Sequence, residues 1–208
     1  GKAFGADISF AYRRPVTINQ YHAVAGFGIA LTNMGNKISY DNGATWTPAQ
    51  ELVAGDTSGG RGPVKNKCLV TSEGLIIAPA STEQGKWRCF FDISTDGGKT
   101  WTKTDFVESD TEMIQPALWE DADGVIHAFF RTKAGKVYRS DSYDGGWTWC
   151  KAYKTSLPNN NSGLDVVMTD NGWLWVCYNP ISVNGLRYKL TLAVSKDNGE
   201  TWEKVQDI

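Results

Sequence analysis

Positive charge gathers in one short stretch, Gly60-Arg61-Gly62-Pro63-Val64-Lys65-Asn66-Lys67. On an extended chain, residues two apart point the same way, so Lys65 and Lys67 share a face while Val64, Asn66 and Cys68 take the other. Two cations on one face with Arg61 just ahead form a plausible cradle for a carboxylate; the competing reading is a solvated strand face. Arg131 closes the apolar run Ile126–Phe130, and Arg187 precedes the run Leu190–Ser195. A guanidinium at the end of a buried strand needs a partner, and its planar fork matches a carboxylate. The alternative for each arginine is a structural salt bridge.

Fewer residues could move protons or attack a bond. Glu83 follows Ser81-Thr82 at a strand end and reads as a base, or as a loop carboxylate paired with a cation. Asp165 opens an otherwise apolar strand, just after the turn-rich Asn159-Asn160-Asn161-Ser162-Gly163. Asn161 and its neighbours offer short hydrogen-bonding groups, although Asn also serves turns. Tyr178 lies on the run Trp173–Asn179, where core packing is the simpler role. His127 alternates with apolar residues inside a strand and reads as a half-buried, satisfied histidine. His22 lies in a poorly patterned region.

The elements that must hold these residues repeat. Ser-x-Asp-x-Gly-x-Thr-Trp occurs four times, with its Asp at 41, 96, 144 and 197. A turn motif recurring about every 50 residues marks a blade-type repeat. Asp can bond its own backbone to set the turn, Gly allows a positive φ, and Trp folds its ring over the hairpin into the layer between sheets. Each of the last three units reads as four strands. The second gives Val64–Thr71, Leu75–Ser81, Trp87–Ser94 and Thr102–Val107. The third gives Gln115–Glu120, Val125–Thr132, Lys136–Ser142 and Lys151–Thr155. The fourth gives Leu164–Thr169, Trp173–Asn179, Leu190–Ser195 and Glu203–Asp207. No amphipathic helical stretch interrupts them. The first unit is weakest, with Ala6–Arg13 and Tyr21–Leu31 as its candidate inner strands. An all-β propeller of about four four-stranded blades follows, with units near 1–53, 54–108, 109–156 and 157–208.

Composition agrees. The 208 residues include 9 Trp, 8 Tyr, 8 Phe and 22 Gly, a balance suited to pleated sheets and tight turns. A net charge of −2 without a basic run argues against nucleic acid or an anionic membrane surface as partner. No apolar stretch approaches the ~20 residues of a membrane span. Cys68, Cys89, Cys150 and Cys177 form no CxxC pair, and no His stands at zinc-ligand spacing, so neither a metal nor another cofactor is expected.

These hairpins resemble the Asp boxes of sialidases and the wider BNR-repeat proteins. The resemblance extends to Gly55-Asp56, Arg61–Lys67, Ala78–Glu83, Gln115-Pro116-Ala117, Arg131, Tyr138–Ser142, Leu157–Gly163 and Tyr178-Asn179-Pro180, and covers about residues 36 to 208. It implies a ligand pocket at the axial end of the inner strands, with the boxes on outer hairpins away from it. In such families two or three Arg converge on the carboxylate of a sugar acid, and a Tyr serves as nucleophile. The candidate parts of such a site are Arg61, Lys65, Lys67, Gln115, Arg131, Asn161 and Arg187 for substrate binding, and Glu83, Asp165 and Tyr178 for catalysis, although Tyr178 does not fall on the family's nucleophile motif. Two departures stand out. Such proteins usually have six or more blades, so N-terminal blades are expected to be missing, or self-association to complete the ring. In Tyr12-Arg13-Arg14-Pro15 the second Arg stands where the family's Arg-Ile-Pro motif has Ile, and no acidic residue matches the family's acid/base.

Three functions follow. The first is a sialidase-like glycoside hydrolase acting on an acidic terminal sugar, of sialic-acid or uronic-acid type. The second is a non-catalytic carbohydrate-binding or incomplete propeller segment. The third is a lyase on uronate-containing glycans, with a cation neutralising the carboxylate and His or Tyr moving the proton. The partner in each is an acidic glycan. The resemblance is compatible with a secreted or periplasmic protein, and no signal peptide is visible in this segment.

Overall fold

A computed structural model describes residues 17–20, 35–39, 41 and 43–208. The stretches 6–13 and 21–31, with Tyr12–Pro15 and His22, lie outside the described residues. The described residues form strands and turns, with no helix.

Four antiparallel sheets follow one another along the chain. The first holds β1 (Thr17–Gln20), β2 (Gly35–Ser39) and β3 (Gln50–Glu51). The second holds β4 (Leu69–Val70), β5 (Ile76–Thr82), β6 (Arg88–Ser94) and β7 (Thr102–Lys103). The third holds β8 (Met113–Glu120), β9 (Ile126–Thr132), β10 (Lys136–Ser142) and β11 (Tyr153–Pro158). The fourth holds β12 (Asp165–Met168), β13 (Leu174–Tyr178), β14 (Thr191–Ser195) and β15 (Glu203–Asp207). In each of the last three, neighbours in sequence are neighbours in the sheet. The first strands lie together, with β8 touching both β4 and β12. These are the blades of a β-propeller, with β4, β8 and β12 innermost.

The expected strand Val64–Thr71 shrinks to Leu69–Val70, and Thr102–Val107 shrinks to Thr102–Lys103. The backbone of the first turns before it pairs: Lys65 has a φ of 69° and Gly62 one of 88°. Alternation of side chains suggested a strand there, but periodicity does not see a left-handed turn.

The Asp boxes close by local bonds. In the second, Ser94 Oγ donates to Asp96 Oδ1 at 2.8 Å and accepts from Gly98 N at 2.8 Å. Thr100 donates its N–H and its hydroxyl to the two oxygens of Asp96, at 2.9 and 2.6 Å. The Trp101 indole N–H donates to Gly98 O at 3.0 Å. This last bond recurs for Trp46, Trp149 and Trp202. The indoles of the last three boxes then pack toward what precedes their sheets. Trp101 lies against Ile76 and Ala78 with Leu52 and Val53, Trp149 stacks on Phe91 at 4.2 Å, and Trp202 meets Phe129 at 6.0 Å. An indole buries on the order of 150–250 Å², so each box fastens two sheets as well as turning one chain.

Two apolar seams complete the core. Ile77, Phe91 and Ile93 meet Leu118, Ala128 and Phe130 between the second and third sheets. Ala117, Phe129 and Val137 meet Val166, Leu174 and Val176 between the third and fourth.

Candidate functional site

One set of cations gathers beside the inner strands, from the segment before β4, from β9 and from the connection between β13 and β14. Lys65 sits in a three-residue turn closed by Asn66 N donating to Val64 O at 2.8 Å. A positive φ at the centre of such a turn is rare and strained. Its ammonium reaches Asn66 Oδ1 at 2.6 Å and, across the axis, Leu164 O at 2.8 Å. Gly163 makes room for this crossing, because a Cβ there would stand 2.3 Å from Lys65 Cε. Lys67 crosses in parallel, donating to Val166 O at 2.6 Å and Asp165 Oδ1 at 2.8 Å. The two lysines thus share a destination in the fourth sheet, although the strand proposed to align them is absent.

Arg131 ends β9 half-buried. Its Nε donates to Asn161 Oδ1 at 3.0 Å and its Nη1 to Gln115 Oε1 at 2.9 Å. Gln115 is re-aimed by a bulge between Ile114 and Ala117, with a φ of 55°. Asn66 Nδ2 holds that bulge by donating to the carbonyls of Gln115 and Pro116 at 3.1 and 2.8 Å. Asn161 has a φ of 62° and accepts Arg187 Nη2 on its main-chain oxygen at 3.0 Å. Lys65, Gln115 and Asn161 are therefore three of the four described non-glycine residues at positive φ, the other being Asn198 in the fourth Asp box. Such strain persists where the surroundings impose it, and it clusters at ligand sites.

The electrostatics are unbalanced. Among the described residues, Lys65, Arg131 and Arg187 form no ion pair, and the partners given above for them are neutral oxygens. Burial lowers the pKa of Arg131, the charge of Arg187 lowers it further, and Glu83 acts in the opposite sense. Lys65 is exposed at its surface, yet protein packed around its ammonium desolvates it and lowers its pKa. Arg131 and Lys67 add to this, while Asp165 opposes it. Three cations are thus held on neutral oxygen acceptors, with no carboxylate bonded to any of them among the described residues. Glu83 is exposed on the β5–β6 hairpin within electrostatic reach of Arg131.

Other expected site residues are placed differently. Arg61 is buried and donates to Asp92 Oδ1 through Nε at 2.8 Å and through Nη2 at 2.6 Å, and it also pairs with Asp56. This is a salt bridge inside the second blade, and it occupies the guanidinium. Tyr178 packs among the apolar residues between the third and fourth sheets, and burial pushes its phenol pKa up. Both features work against a nucleophile. Asp165 is paired with Lys67.

A second polar cluster escaped the sequence reading. His127 is buried, with Nδ1 2.5 Å from Asp141 Oδ1 and Nε2 2.8 Å from Asp121 Oδ2. Arg139 and Tyr153 also donate to Asp141, each at 2.8 Å, and Trp119 Nε1 donates to Asn198 Oδ1 at 2.8 Å. Because Asn198 belongs to the fourth Asp box, this network ties the third sheet to the fourth. Only the alternation of His127 with apolar neighbours hinted at it. Among the described residues no group of three or more His, Cys, Asp or Glu is placed to hold a metal, and no helix is long and apolar enough to cross a membrane.

Residues 20–208 match the family of BNR repeat-like domains. No match is found among curated proteins. Among solved structures, the NanB sialidase of Streptococcus pneumoniae is similar at 20% identity and a TM-score of 0.62, covering 84% of this chain and 28% of its own. A protein of unknown function from Dyadobacter fermentans gives 19% and 0.64, covering 84% of this chain and 52% of its own. The Hadza microbial sialidase Hz136 gives 21% and 0.65, covering 81% and 35%. At these identities the likeness is one of fold. The chain spans between 28% and 52% of the length of these three proteins.

Proposed function

Because the chain belongs to the BNR repeat-like domain family, we propose that its axial cation cluster binds the carboxylate of an acidic sugar. The observation that carries this is the set Lys65, Arg131 and Arg187, gathered at the inner strands on neutral partners. Arg131 is half-buried without a counter-charge, which costs free energy, and a bound carboxylate returns it through charge-assisted hydrogen bonds. Arg131 Nε and Nη1 are fixed by Asn161 and Gln115, which leaves the Nη2 edge to face a ligand. The sialidases of similar fold act on sugars of this acidic kind, which supports the choice of ligand.

In a hydrolytic reading, Glu83 is the proton donor and acceptor. It is the carboxylate that acts on Arg131 electrostatically, and it forms no hydrogen bond or ion pair among the described residues. Asp165, paired with Lys67, holds that lysine in place, and buried Tyr178 has no part in bond making. Binding without cleavage is the second reading, and the burial of Tyr178 favours it.

The test is a panel of sialylated and uronate-containing glycans, followed for binding, for release of free acid sugar and for ultraviolet absorbance of an unsaturated product. Saturable binding of acidic glycans over their neutral counterparts is the expected result. Equal affinity for both removes the proposal. Release of acid sugar that falls at least a hundredfold in Glu83→Gln, with KM little changed, selects the hydrolase. Absorbance of an unsaturated product selects the lyase instead.

A further inference from the structure

The bulge in β8 is held from the neighbouring blade. The register with β9 shifts between Ile114 and Ala117, which leaves Gln115 and Pro116 without partners in that ladder. Pro116 is buried, and a buried carbonyl left unpaired costs free energy. Asn66, itself only 6% exposed, serves both carbonyls, its Nδ2 donating to Gln115 O at 3.1 Å and to Pro116 O at 2.8 Å. Ser81 holds the bulge from the amide side, accepting Gln115 N on its hydroxyl oxygen at 3.3 Å. Ser81 lies on β5 and Asn66 just before β4. The second blade therefore sets the backbone from which the Gln115 side chain of the third blade reaches Arg131 Nη1 at 2.9 Å.

The Asn66 amide works at both ends. While its amino group serves the bulge, its oxygen accepts Lys65 Nζ at 2.6 Å. Only one orientation does this: turned over, the amide would set its oxygen against two carbonyls and its amino group against an ammonium. The main chain fixes the residue as well. Asn66 N donates to Val64 O at 2.8 Å, and Val64 N donates to Pro79 O of β5 at 2.7 Å. Lys65 places two of its three N–H groups on Asn66 and Leu164, which leaves the third for a ligand. One side chain thus touches both halves of the cation site, Lys65 directly and Arg131 by way of Gln115. The two cations lie within electrostatic reach of each other.

We infer that Asn66 is the positioning residue of the cation site, setting the Lys65 ammonium against the Arg131 guanidinium so that one carboxylate meets both. That the ligand is a carboxylate rests on the proposed function, whereas the hold on Lys65 and Gln115 stands on the hydrogen bonds alone. An aspartate of the same shape would keep Lys65, but it would press a charged oxygen on the carbonyls of Gln115 and Pro116 and release the bulge.

The probe is N-acetylneuraminic acid, titrated by calorimetry against the whole chain. The Arg131 Nε–H signal is followed by NMR in the free protein and identified by its loss in Arg131→Lys. Asn66→Ala is expected to shift that signal before any ligand is added and to weaken binding about tenfold. In an Arg131→Ala background the further loss from Asn66→Ala should shrink to less than about threefold, because one of the two groups it acts through is gone. A residue needed only for folding would cost the same in both backgrounds. Should Asn66→Ala fold poorly, Asn66→Asp carries the test, since it keeps the volume and the acceptor for Lys65 but cannot donate to the bulge. An unmoved Arg131 signal, unchanged affinity, or a loss undiminished in the Arg131→Ala background overturns the assignment. A shifted Arg131 signal in a protein whose wild type does not bind the acid supports the positioning role and removes the acidic-sugar proposal. Wild-type binding with no effect at Arg131 from Asn66→Ala does the reverse.

Discussion

Asn161 holds two arginines at once, taking Arg131 Nε on its side-chain oxygen at 3.0 Å and Arg187 Nη2 on its main-chain oxygen at 3.0 Å. Its left-handed backbone aims the two oxygens at different guanidiniums. Arg131→Ala is therefore expected to weaken binding of N-acetylneuraminic acid by about 10–100-fold, the loss of a charge-assisted pair. Arg131→Lys should recover little, since an ammonium cannot be gripped by Gln115 and Asn161 while presenting a flat edge. Asn161→Gly keeps the backbone shape and frees the Arg131 side chain, so it should lose affinity with little loss of stability. Calorimetric titration checks all three, and wild-type affinity in Arg131→Ala would remove the site.

Gly163→Ala separates position from fold. The added Cβ meets the far end of the flexible Lys65 side chain, 2.3 Å from Cε. Lysine can swing aside, so the thermal midpoint should change by only a few degrees. The ammonium would then leave Leu164 O, and affinity for an acidic sugar should fall severalfold. A large loss of stability with unchanged affinity would contradict this account.

Asp141 links stability to acid. Burial by itself would raise its pKa, but hydrogen bonds from His127, Arg139 and Tyr153 outweigh burial and hold it at about 2, against the usual 3.8. A carboxylate with a depressed folded pKa adds stability above its unfolded value, and that stability is lost as pH falls through the folded one. Roughly 2 kcal/mol should thus disappear between about pH 4 and pH 2. In Asp141→Asn that share of the acid sensitivity should vanish, and the neutral-pH stability should drop by about 3–5 kcal/mol, as when one partner leaves a buried pair. Urea unfolding at a series of pH values reads both.

Gly146 and Gly97 test the box as a fastener. Both have positive φ, +93° and +73°. A Cβ on Gly146 would stand 2.7 Å from Ile77 Cδ1 across the seam, whereas one on Gly97 meets nothing within 4 Å. Gly146→Ala should cost about 2–4 kcal/mol, combining backbone strain with overpacking, and Gly97→Ala about 1–2 kcal/mol from strain alone. Equal losses in chemical denaturation would show that the seam contact adds nothing.

The fold was legible because its determinants are local. Each box carries its own Ser, Asp, Gly and Thr within eight residues, and those residues bond to one another. The site was legible in part. Arg131, Gln115, Asn161 and Lys65 do converge, but Arg61 does not join them, because its partner Asp92 comes from a strand 31 residues on. Alternation placed Lys65 and Lys67 on a strand face, and the turn at Lys65 replaced it. The His127 network stayed hidden for the same reason as Arg61. Its members come from β8, the β8–β9 turn, β9, β10, β11 and the fourth box, and the register of paired strands and the packing of the fourth box bring them together.

Lys65 and Lys67 each grip a carbonyl 99 residues farther along the chain. During synthesis both ammonium groups leave the ribosome well before Leu164 and Val166 exist. Until the fourth sheet docks, neither has its acceptor and Arg131 has no Asn161 to steady it. The cation cluster is therefore the last part of these three blades to take shape, completed only when that sheet is in place.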